Sequence, residues 1–201
     1  MSDFQSFVLA SGSPSRAQIL EQLGYRISEI FPQNIDESEL KKEVPRAYIK
    51  RICQNKLSSA VKQRPNQVIL GADTIVAVGR RILQKAQTAQ EQASFMQRIS
   101  GRRHYSMTAV GVYDPHHPQK ITIKLVETLV QMKRLTNQEI QSYVASNVWK
   151  GCSGYKFDYA FQSLVKRIDG SVSSIQGLPV YEAKNMLGSA GVFPENSLKP
   201  S

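Results

Sequence analysis

An α/β fold with a mixed sheet is what this sequence predicts, and three observations carry the prediction. Short apolar, β-branched runs alternate with segments whose apolar residues recur at helical spacing. The runs His104 to Tyr113 and Lys120 to Lys133 are joined by a polar, proline-rich turn, DPHHPQ, so they read as antiparallel neighbours and make the sheet mixed. No repeat, low-complexity segment or clear linker interrupts the alternation, so residues 1–188 read as a single domain and 189–201 as a flexible tail.

The first strand is Phe7 to Ala10, followed by SGSPSR and a helix with Ile19, Leu20 and Leu23 on one face and Gly24 as its stop. Ser13 and Pro14 form an N-cap and first-turn pair. A strand that enters a helix through a loop of small residues leaves free backbone N–H groups where a phosphate could sit. Arg16 lies in that first turn on the inward face, where a cation gains nothing from the helix dipole. Either an anion sits between them, or the arginine snorkels past apolar neighbours to solvent.

Tyr25 to Phe31 reads as a second strand and delivers Asp36 and Glu37 in a polar loop. Pro45 opens a helix, PRAYIKRICQNKLSSAV, with an apolar stripe through Ile49, Ile52, Cys53, Leu57 and Ala60. Lys56 falls on that stripe, aimed into a cleft or drawing its ammonium out to the rim.

The stretch Val68 to Lys85, VILGADTIVAVGRRILQK, is a strand, a turn at Gly79 and Arg80, and a second short strand. Asp73 stands inside the apolar run beside Thr74. An unpaired buried carboxylate costs several kcal/mol, so Asp73 is either half of a structural ion pair or part of a functional cleft. Gly71 leaves room for a close approach to the backbone.

Thr88 with Glu91 is a capping box that starts the helix TAQEQASFMQRI, and Thr136 with Glu139 starts NQEIQSYVAS. In WKGCSGYKFDYAFQSLVKRI a glycine-rich turn precedes a helix with Phe161, Leu164, Val165 and Ile168 inward. GSVSSIQGLP is a loop with a short strand, and a last helix runs from Pro179 to near Gly188.

Composition narrows the function. The 201 residues are 41% hydrophobic and 21% charged, an ordinary globular balance, and the net charge of +10 with pI near 9.7 calls for an anionic partner. The basic residues are scattered as pairs such as Arg80–Arg81 and Arg102–Arg103, which weakens the case for a nucleic-acid arm. Cys53 and Cys152 are too few for a disulfide framework or zinc site, and His104, His116 and His117 have no ligand spacing with them. The opening ten residues are too short and polar for a secretory signal, and no apolar run approaches the roughly 20 residues of a membrane span. A cytoplasmic protein is expected.

In order and spacing, LASGSPSRAQIL, the Asp36–Glu37 pair, PRAYIKRICQNK, GADTIV with Lys85, SGRRHYSMTAV and GSVSSIQGLP closely resemble the Maf-like nucleoside triphosphate pyrophosphatases, also called septum formation inhibitor proteins. The resemblance implies an elongated α/β fold of two lobes with a central cleft, and hydrolysis of a nucleoside triphosphate to monophosphate and pyrophosphate with Mg²⁺ or Mn²⁺. It implies that Asp73 is the proton acceptor or metal-linked carboxylate and Glu37 the second acid near the metal. It also makes Ser11, Ser13, Arg16, Lys56 and Lys85 the triphosphate cradle, with a homodimer in keeping and no specific nucleic acid expected.

For the base, relatives of the dTTP and UTP branch carry arginine, threonine and glutamine where this chain has Ser15, Thr74 and Asp158; the 7-methyl-GTP branch carries tryptophan, glutamine and glutamate. An aspartate can accept from both guanine N1–H and its amino group, so Asp158 leans the expectation toward 7-methyl-GTP or guanine, while Thr74 leans the other way. The lysine usual in the glycine turn is missing, with Gly151 and Cys152 in its place. The competing reading is a basic regulator of cell division or a nucleic-acid binder that keeps the fold with little or no catalysis.

Overall fold

The computed structural model of the chain describes residues 6–195. Seven strands form one mixed sheet among them: β1 (Phe7–Leu9), β2 (Ile27–Ile30), β3 (Ile69–Val78), β4 (Arg81–Leu83), β5 (Arg103–Tyr113), β6 (Ile121–Met132) and β7 (Val165–Asp169). Their order is β2-β1-β3-β5-β6-β7, with β4 also on β3; β1 is parallel to β2 and β3, and every other pairing is antiparallel. The helices are α1 (Pro14–Gln22), α2 (Pro45–Gln63), α3 (Ala89–Ile99), α4 (Asn137–Ala145), α5 (Tyr159–Gln162), α6 (Val172–Ile175) and α7 (Val180–Ser189). The α/β class and the mixed sheet are as the sequence predicts.

The apolar interior divides into three clusters. On one face of the sheet, Leu9, Leu70 and Ala72 meet Leu20 of α1 and Ala183 and Leu187 of α7. On the other face, Val8, Ile69, Ile75 and Ala77 meet Ile49, Ile52 and Leu57 of α2. The third surrounds Trp149, Tyr155 and Phe161, with Phe95 and Met96 of α3 and Ile140 of α4.

Residues alternate in direction along β3, so Gly71, Asp73 and Ile75 face α2 while Leu70, Ala72 and Thr74 face the other way. The register sets Gly71 opposite Gly111, and Leu57 fills the hollow they leave. A Cβ built on either would come within 2.9 and 2.5 Å of Leu57. This close approach presses α2 onto the sheet and brings Lys56 to Asp73.

The two edges of β3 differ. β5 runs along one edge from Ile69 to Ala77. On the other, β1 pairs with Ile69 and Leu70, β4 with Val76 to Val78, and no strand lies beside residues 71–75. The sheet therefore has a notch at Asp73 and Thr74.

Three expectations are corrected. The helix expected through Phe161, Leu164, Val165 and Ile168 is the single turn α5 followed by strand β7, which pairs with Leu129 to Met132 of β6. Their spacing suits a helix, but backbone pairing along β6 outweighs it, and Val165 and Ile168 are β-branched. The short strand expected in GSVSSIQGLP is α6, whose N-cap Ser171 accepts from Ser174 N at 3.2 Å. The tail expected to be flexible from Ser189 is packed as far as Glu195: Ala190 and Val192 are core residues, and Glu195 N donates to Gly24 O at 2.8 Å. Residues 196–201 of that tail lie outside the described residues.

Candidate active site

On the α2 side of the notch, the Lys56 ammonium donates to a carboxylate oxygen of Asp73 and, at 2.8 Å, to Glu37 Oε1. The ion pair left open for Asp73 by the sequence exists, but it is shared: one ammonium serves two acids. Only 15% of the Lys56 and Asp73 side chains is exposed, against 40% for Glu37. Burial works against the charged ammonium, but Asp73 and then Glu37 outweigh it, so the Lys56 pKa stands above the ordinary lysine value. The same burial, with Asp73 nearby, pushes the Cys53 thiol up to about 12, which leaves it an inert core residue.

The loop that delivers Glu37 is tied down at several points. Tyr48 of α2 donates to Glu37 O at 2.9 Å, and Arg51 donates to Ser38 O at 2.8 Å while pairing with Glu43. Asp36, its neighbour in sequence, is exposed and caps the turn by accepting from Ser38 N at 2.9 Å.

Arg16 stands on the opposite side. It is buried, and its guanidinium donates from Nε to Gly177 O at 2.7 Å, from Nη1 to Ser11 Oγ at 2.8 Å and from Nη2 to Thr74 Oγ1 at 3.2 Å. Every partner is a neutral oxygen, and among the described residues Arg16 forms no ion pair. Burial lowers its pKa, with Asp73, Cys53 and Glu37 offsetting part of the effect through space. Arg16 therefore does not snorkel to solvent. Ser13 is the N-cap of α1, as expected, but its hydroxyl makes no capping bond. Its own backbone N–H donates to Ser11 Oγ at 3.3 Å, so the start of α1 has donors that no side chain caps.

The structure thus gathers Ser11, Ser13, Arg16, Thr74, Asp73, Lys56 and Glu37. Thr74 joins the two halves, because its backbone N–H donates to Asp73 Oδ1 at 3.0 Å while its hydroxyl meets Arg16. Three expected residues stand apart. Ser15 is exposed, and its hydroxyl donates to Gln176 O at 3.0 Å. Lys85 follows β4, is exposed, and bridges Ser153 through the backbone, bonding none of the grouped side chains. Asp158, expected at the base, is the N-cap of α5 and accepts from Phe161 N at 2.9 Å.

Two participants were not singled out from the sequence: the Gly177 carbonyl that orients Arg16, and Thr108, whose hydroxyl lies 2.8 Å from that of Thr74. Thr108 lies within the quoted SGRRHYSMTAV motif, but only the pairing of Thr74 with Thr108 across β3 and β5 gives it a role.

Asp73 and Glu37 offer hard carboxylate oxygens that converge on one cation, which suits Mg²⁺ or Mn²⁺. Among the described residues no group of three or more His, Cys, Asp or Glu is placed to hold a metal. An ion here would take these two acids and complete its shell with water and phosphate oxygens, the usual habit of Mg²⁺. Among the same residues no helix is long and apolar enough to cross a membrane.

Comparison with known proteins agrees with the motif order. The family model described as "Maf-like protein" matches residues 6–190. The chain is 42% identical over 188 residues to the "Nucleoside triphosphate pyrophosphatase" of Ehrlichia ruminantium (strain Welgevonden), covering 93% of this chain and 97% of that protein. It is 42% identical over 186 residues to the "dTTP/UTP pyrophosphatase" of Roseobacter denitrificans, covering 92% and 97%. A solved Mycobacterium abscessus nucleoside-triphosphatase, the dITP/XTP pyrophosphatase, aligns with a TM-score of 0.42 at 14% identity over 65% of this chain and 74% of that one. With its motifs in order and the family model matching nearly its whole length, the chain belongs to the Maf-like protein family.

Proposed function

We propose that this protein is a nucleoside triphosphate pyrophosphatase that cleaves between the α- and β-phosphates, releasing a nucleoside monophosphate and pyrophosphate. The observation that carries the reading is Arg16, a buried guanidinium bonded only to neutral oxygens, across the notch from an ammonium already shared by two acids. A buried cation without a contacting counter-ion favours an anionic ligand. A triphosphate at the notch would set its oxygens on Arg16 and on the free N–H groups at the start of α1.

Asp73 takes the proton of the attacking water, and Lys56, hydrogen-bonded to it, holds that carboxylate in place. As water oxygen bonds to the α-phosphorus, the bond to the bridging oxygen breaks and pyrophosphate departs. Arg16 and Lys56 stabilise the charge that spreads over the phosphate oxygens. Asp73 and Glu37 would hold a Mg²⁺ or Mn²⁺, which would neutralise triphosphate charge.

For the base we propose uracil or thymine in place of the 7-methyl-GTP or guanine expectation. Relatives at about this similarity are named for dTTP and UTP, and the Asp158 oxygen that would read guanine is used in capping α5. The test is pyrophosphate release from dTTP, UTP, GTP and 7-methyl-GTP with added Mg²⁺ or Mn²⁺, comparing the parent with Asp73→Asn. The parent should favour the pyrimidines and the variant should lose about a hundredfold or more in kcat. A variant as active as the parent removes Asp73 from the chemistry, and a clear preference for 7-methyl-GTP restores the purine reading.

A further inference from the structure

Arg103, Gln131 and Arg167 stand abreast on three neighbouring strands, because β5 pairs Arg103 with Gln131 and β7 pairs Arg167 with the same Gln131. Directly paired residues point to one face of an antiparallel sheet, and these three line an open hollow of about 100 Å³ together with Leu129 and Asp169. The hollow lies apart from the notch. Asp73 pairs with Ala109, and Arg103 is six residues further along β5, about 20 Å at ~3.4 Å per residue.

The cations there are not neutralised within the chain. Arg46, Arg51 and Arg64 each clasp a glutamate within 2.9 Å. Arg103 and Arg167 form no ion pair among the described residues, although Asp169 lines the same hollow. Like charges brought into one row repel, and an anion held between them removes that cost.

Size and chemistry narrow the ligand. The space is well under the roughly 300–1,000 Å³ that encloses a whole small molecule, so it receives a single charged group. Two planar guanidinium forks suit a tetrahedral oxyanion, and Gln131 adds an amide donor between them. Asp169, as a carboxylate, only accepts, so it calls for a ligand that also donates. A protonated phosphate group carries acceptor oxygens and one P–OH, whereas sulfate carries the oxygens alone.

We propose that this hollow is a second anion site, separate from the notch, that takes a protonated phosphate group, free or as a monoester. Arg103, Gln131 and Arg167 donate to its oxygens, and Asp169 accepts from its P–OH. The proposal does not rest on the pyrophosphatase reading.

The test follows backbone amide resonances by NMR at low salt and at about pH 6, where phosphate and its monoesters still hold a proton, while inorganic phosphate, sulfate or UMP is added. The amides of Arg103, Gln131 and Arg167 should respond to phosphate at concentrations about tenfold below those needed for sulfate, the scale of one hydrogen bond. A stronger response to UMP than to phosphate assigns the group to an ester, and the reverse assigns it to free phosphate. Arg103→Gln combined with Arg167→Gln should abolish the response. Arg80→Gln combined with Arg81→Gln removes the same charge from an exposed pair at the β3–β4 turn and should leave it in place. Asp169→Asn should bring sulfate level with phosphate. Should the Arg103 and Arg167 double variant fail to fold by circular dichroism, either single exchange should raise the half-saturating phosphate concentration about tenfold.

An equal loss in the Arg80 and Arg81 double variant would make the attraction a property of overall charge, which overturns the proposal. So does a parent in which sulfate acts as strongly as phosphate, or in which neither moves these amides.

Discussion

At Lys56, one side chain answers for two charges. Its ammonium keeps Asp73 tolerable inside an apolar strand and draws Glu37 in from the loop, while its own stem lies on the buried stripe of α2. A second titratable group, His104 on β5, is managed differently. Its Nε2 meets the Tyr155 hydroxyl at 2.9 Å, its Nδ1 has no partner among the described residues, and burial depresses its pKa to about 4. Its unfolded value is near 6.5, so between about 6.5 and 4 the unfolded chain binds the extra proton and the folded one resists it. The His104 contribution is therefore present above that window and lost as the pH falls through it. The midpoint of thermal unfolding should drop between pH 6.5 and 4, and His104→Gln should flatten the drop. An unchanged profile in the variant would assign the loss to other groups.

The contact between α2 and the β3–β5 pair positions the acid side of the notch. Leu57, one residue from Lys56, rests on Gly71 and Gly111. A Cβ at Gly111 would stand 2.5 Å from Leu57 Cδ1, 2.9 Å from Ile123 Cγ1 and 3.0 Å from Thr122 O, and the backbone oxygen cannot be moved without disturbing β6. Gly111→Ala should therefore cost about 1–3 kcal/mol in urea unfolding, as overpacking does. It should also lower kcat by lifting Lys56 from Asp73, and a variant with parental stability would show that the layers have slack. Periodicity made α2 legible, but the same periodicity misled at Phe161, Leu164, Val165 and Ile168. Apolar spacing there suits a helix, and pairing with β6 made a strand of it.

Over the whole molecule, the formal charge of +10 sets a field in which a triphosphate is drawn in before it makes contact. The Debye length shrinks from about 10 Å at 0.1 M salt to roughly 3 Å at 1 M. The kcat/KM for a triphosphate should therefore fall steeply with added KCl while kcat changes little, measured by pyrophosphate release at fixed metal. A flat salt profile would confine attraction to the notch.

The placing of three candidate residues could be read before the fold. Asp73 in an apolar run, Arg16 inward at a helix start, and Lys56 on a buried stripe are all local facts, settled by spacing and caps within a few residues. What needed three dimensions was the junction. Two of the three partners of Arg16 lie 58 and 161 residues away, and their identity is not encoded in any window of the sequence. Side-chain periodicity is a property of neighbours, whereas a hydrogen bond between distant segments exists only once strand register has placed donor against acceptor. For the same reason, the gap beside residues 71–75 follows from where β1 ends and β4 begins, which only the assembled sheet decides.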